Sequence, residues 1–418
     1  MSDTTPPDSR TPASQRQVDR ATFDRVMVPT YAPAAWVPVR GKGLWLWDQS
    51  GRQYLDFTAG IAVSGLGHAP DAVIAALYEQ AQRLWHVGNG LTNEPVLRLA
   101  TALTEATFAD RAFFANSGAE ANEAAFKLAR KWAHAKHGAQ KSRIIACFNA
   151  FHGRTLFTVS VGGQAKYTEG YEPLPSGITH VPFNDLASLE AAMGADVCAV
   201  VVEPVQGEGG VTAASPEFLH GARALCERHS ALLIFDEVQC GMGRTGDLYA
   251  YMGYGIVPDI LTSAKALGNG FPIGAMLTTN EIASSFSVGA HGSTYGGNPL
   301  AAAVALKVFE IISQPAFLAR VRSAGARLRL ALEGLAGQYS QVFAEVRGRG
   351  LMLGLELTQA YQGRAKELTR LAEAEGLLLL IAGPDVVRVV PPLIVSDDEI
   401  DEALRRLRPA LAALVEKS

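Results

Sequence analysis

Leu232–Gln239 reads L-L-I-F-D-E-V-Q. Four apolar residues stand in a row and two acids follow at once. That pattern predicts a short, fully buried strand with carboxylates at its carboxyl end. Working outward, Arg111–Phe114, Ile144–Phe148, Val197–Val202 and Ile260–Ser263 read as strands of the same kind. Helical stretches separate them, Pro216–His229 being one. The stretch after Gly118 is the clearest, because Ala121, Ala124, Ala125, Leu128 and Trp132 recur at helical spacing and form one apolar face. Buried strands alternating with helices predict an α/β fold around a mostly parallel sheet.

The flanks differ. Between Phe23 and Gly67 the chain is broken by Pro29, Pro33, Pro38 and several glycines, and Leu44–Trp47 with Gln53–Phe57 reads as a β-hairpin. The last third carries long helical patterns over Leu300–Ile312, Phe317–Ala336, Arg364–Glu375 and Glu399–Leu414. Leu351–Leu357 and Val386–Val390 between them are strand-like. A chain of 418 residues exceeds one typical core. The expected division is a tail over 1–20, an N-terminal part of a small domain over 21–70, a large domain over 71–305 and a C-terminal small domain over 306–418. The tail is polar and is expected to be disordered.

Composition narrows the function. Hydrophobic residues make up 48% and charged residues 19%, with a net charge of −4, which fits a soluble globular protein and no nucleic-acid partner. Cys147, Cys198, Cys226 and Cys240 form no C-x-x-C pair and read as reduced thiols of a cytoplasmic protein. The first residues hold no apolar stretch and no apolar run is long enough to span a membrane, so neither a secretory leader nor a membrane span is expected.

Four stretches carry chemistry. Asp236 or Glu237, placed beyond a parallel strand, would hold a positive group on a ligand, or would serve as an ordinary loop acid or helix cap. Ile260–Gly274 reads I-L-T-S-A-K-A-L-G-N-G-F-P-I-G, so Lys265 follows an apolar strand among small residues. Partial burial there would lower its pKa and free the amine for imine chemistry, although a lone lysine of this kind is often structural. Asn116–Glu123, N-S-G-A-E-A-N-E, turns from a strand into a helix whose free N–H groups suit a phosphate, or a plain cap by Ser117 or Asn116. Gly292–Pro299, G-S-T-Y-G-G-N-P, offers two hydroxyls on flexible backbone. By contrast, Gly241–Gly246 (G-M-G-R-T-G) matches a dinucleotide fingerprint, but the acids upstream and the lack of a clean helix after it argue against a nucleotide. The pair His134 and His137 has no third ligand at metal spacing and reads as helix surface.

Taken in order, these motifs resemble one family closely. N-S-G-A-E-A-N-E at Asn116, F-H-G-R-T at Phe151, E-P-V-Q-G-E-G-G at Glu203, F-D-E-V-Q at Phe235, A-K-A-L-G at Ala264 and H-G-S-T-Y-G-G-N-P at His291 are similar to those of the class III ω-amino-acid aminotransferases. The resemblance runs from about Phe23 to the C-terminus and is greatest to the acetylornithine and succinylornithine members. It implies a fold-type-I pyridoxal-phosphate transferase, with a seven-stranded sheet in the large domain and a smaller α+β domain from both termini.

The resemblance also implies roles. Lys265 would link covalently to pyridoxal phosphate and then move the substrate proton. Asp236 would pair with the pyridine nitrogen, Val238 and Phe151 would cover the ring faces, and Gln239 would bond near the phenolic oxygen. Ser117, Gly118 and Ala119 would hold the phosphate, and Thr294 would reach the phosphate of a second subunit in a homodimer, with Ser293 beside it near the substrate. Arg154 would clamp a substrate carboxylate. Arg388 would pair with Glu208 while an amino donor is bound and swing free for 2-oxoglutarate. Glu203 is open between a structural and a supporting role. Cys240, Asn269 and the single histidine in Gly67–Asp71 depart from the usual pattern. The implied reaction moves the terminal amine of an N2-acylornithine to 2-oxoglutarate in arginine metabolism. Free ornithine, 4-aminobutyrate, acetyl-lysine and succinyl-diaminopimelate are the alternative donors.

Overall fold

The computed structural model describes residues 17–416. The expected tail lies outside the described residues up to position 16. Asp19 caps a helix over Arg20–Val26 through a reciprocal bond pair with Thr22.

The central sheet has seven strands, numbered along the chain: β1 Arg111–Ala115, β2 Arg143–Cys147, β3 Ile178–Val181, β4 Val197–Val202, β5 Leu232–Asp236, β6 Ile260–Ser263 and β7 Gly274–Thr278. Their spatial order is β1-β7-β6-β5-β4-β2-β3. Pairings among β3, β2, β4, β5 and β6 are parallel, while β7 runs antiparallel to both β6 and β1. Every residue of β4, β5, β6 and β7 is buried, which is why the apolar runs show no alternation. The sequence reading found five of these strands. It missed β3, whose burial is only partial except at Val181, and β7, which follows a Gly- and Pro-containing turn directly.

The helix Gly118–His137 packs the expected face, Ala121, Ala124, Ala125, Leu128 and Trp132, into the core. Ser117 caps its start by accepting the Glu120 N–H at 3.2 Å. Outside the sheet, Gln53–Asp56 pairs in parallel with Leu377–Leu378, so chain from near both termini shares one four-stranded sheet. A second four-stranded sheet joins Phe343–Arg349, Met352–Leu357, Val386–Val389 and Leu380–Ile381, all antiparallel. Among the described residues no single helix is long and apolar enough to cross a membrane.

One local feature breaks the usual hand of the backbone. Ala59, Gly60, Ile61 and Ala62 all have positive φ, making a turn of left-handed helix. Such a conformation costs roughly 1–2 kcal/mol for each residue bearing a Cβ. The turn is held by Asp56, whose Oδ1 accepts N–H groups of Thr58 at 2.8 Å and Ala59 at 3.1 Å. It delivers Val63 to the wall of the main cavity.

Candidate active site

The carboxyl ends of β1, β2, β4, β5 and β6 open on one cavity of about 400 Å³. This is where open α/β sheets gather ligands. Of the residues expected to act, Ser117, Gly118, Ala119, Phe151, Arg154, Asp236, Val238, Gln239 and Lys265 line it. Glu208, Arg388, Ser293 and Thr294 do not. Arg388 stands just behind the wall, and Nη1 donates to Glu208 at 2.6 Å and to the lining residue Gln239 at 2.9 Å. Ser293 Oγ accepts the Gly296 N–H at 2.9 Å, and Thr294 is exposed on this chain.

Asp236 ends β5 and is only 3% exposed. Its Oδ2 accepts from Asn122 Nδ2 and from His152 Nδ1, each at 2.7 Å, and its Oδ1 accepts the Val238 N–H at 3.0 Å. An ionised carboxylate only accepts, so Nδ1 of His152 must carry the proton. Burial opposes charge on that imidazole, but the hydrogen bond and charge of Asp236, with Glu203, outweigh it and raise the His152 pKa. The result is a buried carboxylate hydrogen-bonded to a fully buried imidazole whose proton affinity it raises. Neither His152 nor Asn122 was singled out in the sequence. The signal was a histidine inside F-H-G-R, at the carboxyl end of β2.

Glu237, the adjacent acid, has a different fate. Its oxygens accept the N–H groups of Ala250 at 2.5 Å and Tyr251 at 2.8 Å. It therefore caps the short helix Ala250–Tyr254, and burial pushes its pKa up to about 8. That helix is only five residues long and does not follow G-M-G-R-T-G directly, in keeping with the lack of a clean helix there. The fingerprint itself is buried throughout, so a nucleotide cannot reach it.

Lys265 follows β6 with φ +43, in the left-handed region. Burial, then the nearby Arg388 charge, lowers its pKa to about 8. The free protein should therefore take up an aldehyde cofactor faster as pH rises, by about tenfold per unit below pH 8, levelling off above it. Stopped-flow absorbance of the apoprotein mixed with pyridoxal phosphate checks this. A flat profile between pH 6 and pH 8 would remove the argument that burial primes the amine.

Close packing shapes the rest of the wall. A Cβ on Gly118 would stand 2.7 Å from Val238 Cγ1, so the helix start and Val238 are in contact only because residue 118 is glycine. Glu203, just beyond β4, accepts the Phe151 N–H at 2.8 Å, and burial raises its pKa to about 7. Arg154 has no carboxylate partner among the described residues. Its guanidinium lies 3.9 Å from the centre of the Tyr167 ring. Asn269 accepts the Leu66 N–H at 2.6 Å and donates to Gly67 O at 3.1 Å, locking the N-terminal segment to the turn after Lys265. Its φ of +47 explains why asparagine replaces glycine there at little cost. His68 bonds Asp56 at 2.7 Å, and Cys240 is buried in the core.

One cavity thus combines an amine of lowered pKa, a buried carboxylate bonded to an imidazole, and a helix start whose first N–H groups are unpaired among the described residues. That donor set fits the aldehyde, ring nitrogen and phosphate of pyridoxal phosphate, and it defines a pyridoxal-phosphate enzyme of fold type I. The model of the family Aminotransferase class-III matches residues 26–411, and the chain belongs to that family. It is a pyridoxal-phosphate-dependent transaminase, taking an amino donor and a keto acid.

Known relatives are similar over nearly the whole chain. An acetylornithine aminotransferase of Pseudomonas putida is 59% identical over 400 residues, covering 96% of this chain and 98% of the relative. An acetylornithine/succinyldiaminopimelate aminotransferase of Yersinia pestis is 57% identical, covering 95% and 98%. Among solved structures, an N-acetylornithine aminotransferase from Stenotrophomonas maltophilia is 44% identical with a TM-score of 0.82, covering 92% of this chain and 98% of that one. An ornithine aminotransferase from Toxoplasma gondii is 33% identical with a TM-score of 0.91, covering 95% of each.

Proposed function

We propose that this enzyme transfers the terminal amine of an N2-acylornithine to 2-oxoglutarate, giving the N-acylglutamate semialdehyde and glutamate. The observation that carries the reading is the pair of arginines. Arg154 is without an acid partner at the mouth, whereas Arg388 is held by Glu208 at 2.6 Å. Near the reacting amine the donor presents only its α-carboxylate and needs one cationic anchor there, whereas a dicarboxylate keto acid needs two. A releasable Glu208–Arg388 pair lets one site serve both in turn.

When bound, pyridoxal phosphate supplies an aldehyde that condenses with amines and a ring that accepts the electrons left by a broken C–H bond. The chain's own residues do the rest. Lys265 holds the cofactor covalently, and its Nζ later takes the substrate proton and returns it. Asp236 would pair with the pyridine nitrogen, and His152 and Asn122 hold its carboxylate in place by two hydrogen bonds. Val238 and Phe151 confine the ring between them. Ser117, Gly118 and Ala119 bind the phosphate at the helix start. Because Arg388 donates to Oε1 of Gln239, the amide must present its N–H₂ elsewhere, as a donor suited to the phenolic oxygen.

The same reading makes the enzyme a homodimer. Thr294 is too exposed to serve its own chain's cavity, and Ser293 stands beside it. Tyr78, Trp85, Leu91 and Tyr295 are exposed large hydrophobics, as an interface requires. The lobe over 71–305 then binds the cofactor, and 21–70 with 306–418 form the smaller lobe. All four cysteines are free and buried, which suits the reducing cytoplasm.

A donor panel tests the substrate. The purified protein, loaded with cofactor, is offered acetylornithine, succinylornithine, ornithine, 4-aminobutyrate and succinyl-diaminopimelate with 2-oxoglutarate. An acylated donor is expected to give the highest kcat/KM. If free ornithine or 4-aminobutyrate exceeds every acylated donor, the proposal is wrong.

A further inference from the structure

Next to the main cavity lies a second one of about 410 Å³, lined by Asn149, Gln164, Lys166, Glu208, Arg347 and Asp385 among others. Glu208 lines this cavity and pairs with Arg388, which in turn donates to Gln239 on the wall of the main cavity. Most charges on the wall are already engaged. Arg347 pairs with Glu356 at 2.7 Å, and Asp385 accepts the Gly363 N–H at 2.7 Å. Lys166 is the exception. Among the described residues its ammonium has no hydrogen bond and no carboxylate, and lies 4.6 Å from the centre of the Tyr167 ring.

Tyr167 therefore carries two cations on one ring, Lys166 and the equally unpaired Arg154 at 3.9 Å. The ring itself packs edge-on against Phe151. The turn that bears Lys166 is anchored, because buried Gln164 donates to Ala150 O at 2.8 Å. Each cation gains from the ring face, but the two repel one another. A ligand with two carboxylates at matching separation would relieve that repulsion and pair both.

We infer that Lys166 selects an amino donor whose acyl arm itself ends in a carboxylate, as a succinyl arm does and an acetyl arm does not. This rests on the acylornithine reading above and adds the acyl preference to it. Arg154 takes the donor's α-carboxylate, and the arm runs past Tyr167 into the second cavity, where its terminal carboxylate meets Lys166. In N2-succinylornithine the two carboxyl carbons are separated by six bonds, a reach of roughly 5–7 Å on ordinary bond lengths, and the two cations lie 3.9 and 4.6 Å from one ring centre. Lys166 is a specificity residue here and takes no part in bond making.

The test compares the holoenzyme with Lys166→Met, Lys166→Arg and Lys166→Glu on succinylornithine and acetylornithine, each with 2-oxoglutarate. The parent is expected to favour the succinyl donor. Lys166→Met is expected to lower kcat/KM for succinylornithine about tenfold, as fits one charge-assisted contact, and to change acetylornithine less than about twofold. Lys166→Arg should restore most of the loss, and Lys166→Glu should deepen it. The difference between donors should shrink in high salt, because the contact is exposed. Retained acetylornithine turnover shows that the variants fold. The inference is overturned if Lys166→Met leaves the ratio of the two donors unchanged, or if it raises the KM for 2-oxoglutarate equally with both. A parent that turns over neither acylated donor overturns the acylornithine reading itself, a result separate from either of these.

Discussion

Lys265→Ala is expected to lower transamination by at least about 10⁴-fold, since it removes the amine proposed as both covalent anchor and proton carrier. The loaded variant should lack the absorbance at roughly 400–430 nm that marks a covalent cofactor link. The fold should survive. Lys265 donates no hydrogen bond among the described residues, and its neighbours Ala264 and Ala266 pack by their own methyl groups. Thermal unfolding within a few degrees of the parent would establish that the loss is chemical. A variant that processes amino donors as fast as the parent would end the assignment of Lys265.

Asp236→Asn is expected to lower kcat by about 10³-fold, with a smaller change in the KM of the amino donor. The amide keeps the shape but loses the charge that holds the pyridine nitrogen protonated. The loss extends to His152, whose raised pKa depends on Asp236 despite full burial. NMR of the His152 ring should therefore show a lower pKa in the variant. The sign for stability follows. His152 has a folded pKa above its ordinary 6.5, so the pair's contribution is complete below that pH and fades as pH rises through the folded value. Asp236→Ala should be worse for folding, because it leaves the buried Nδ1–H of His152 and the Nδ2–H of Asn122 without their acceptor, at a cost of roughly 1–3 kcal/mol for each stranded donor. Activity of Asp236→Asn within tenfold of the parent would exclude the proposed pairing.

Asp236 and Glu237 show how far the sequence reaches. Both acids follow the same apolar strand, and nothing local separates them. The strand's parallel neighbours decide, since Asp236 pairs in register with Thr262 of β6 at the cavity floor while Glu237 turns to the helix at Ala250. Lys265 was legible for a simpler reason: a charged residue among small ones, after an apolar strand, has few solvated places to go. Arg388 was marked by the family resemblance, and its burial follows from a strand that lies between two others. His152 and Asn122 were hidden because a buried polar residue is defined by partners distant in the chain. Asn122 meets Asp236 across 114 positions. Tyr167 and Lys166 escaped notice because a single 3₁₀ turn has no periodicity to detect.

The left-handed backbone at Lys265 has a consequence for catalysis. A residue that must serve as anchor and then as courier cannot be fixed by bonds at its tip, because those bonds would have to break in every cycle. Here the constraint sits at the root, in a peptide turn wedged between β6 and β7 and braced by Asn269 against Leu66. The four methylenes beyond it stay free to pivot, so aim comes from the main chain and reach from the side chain.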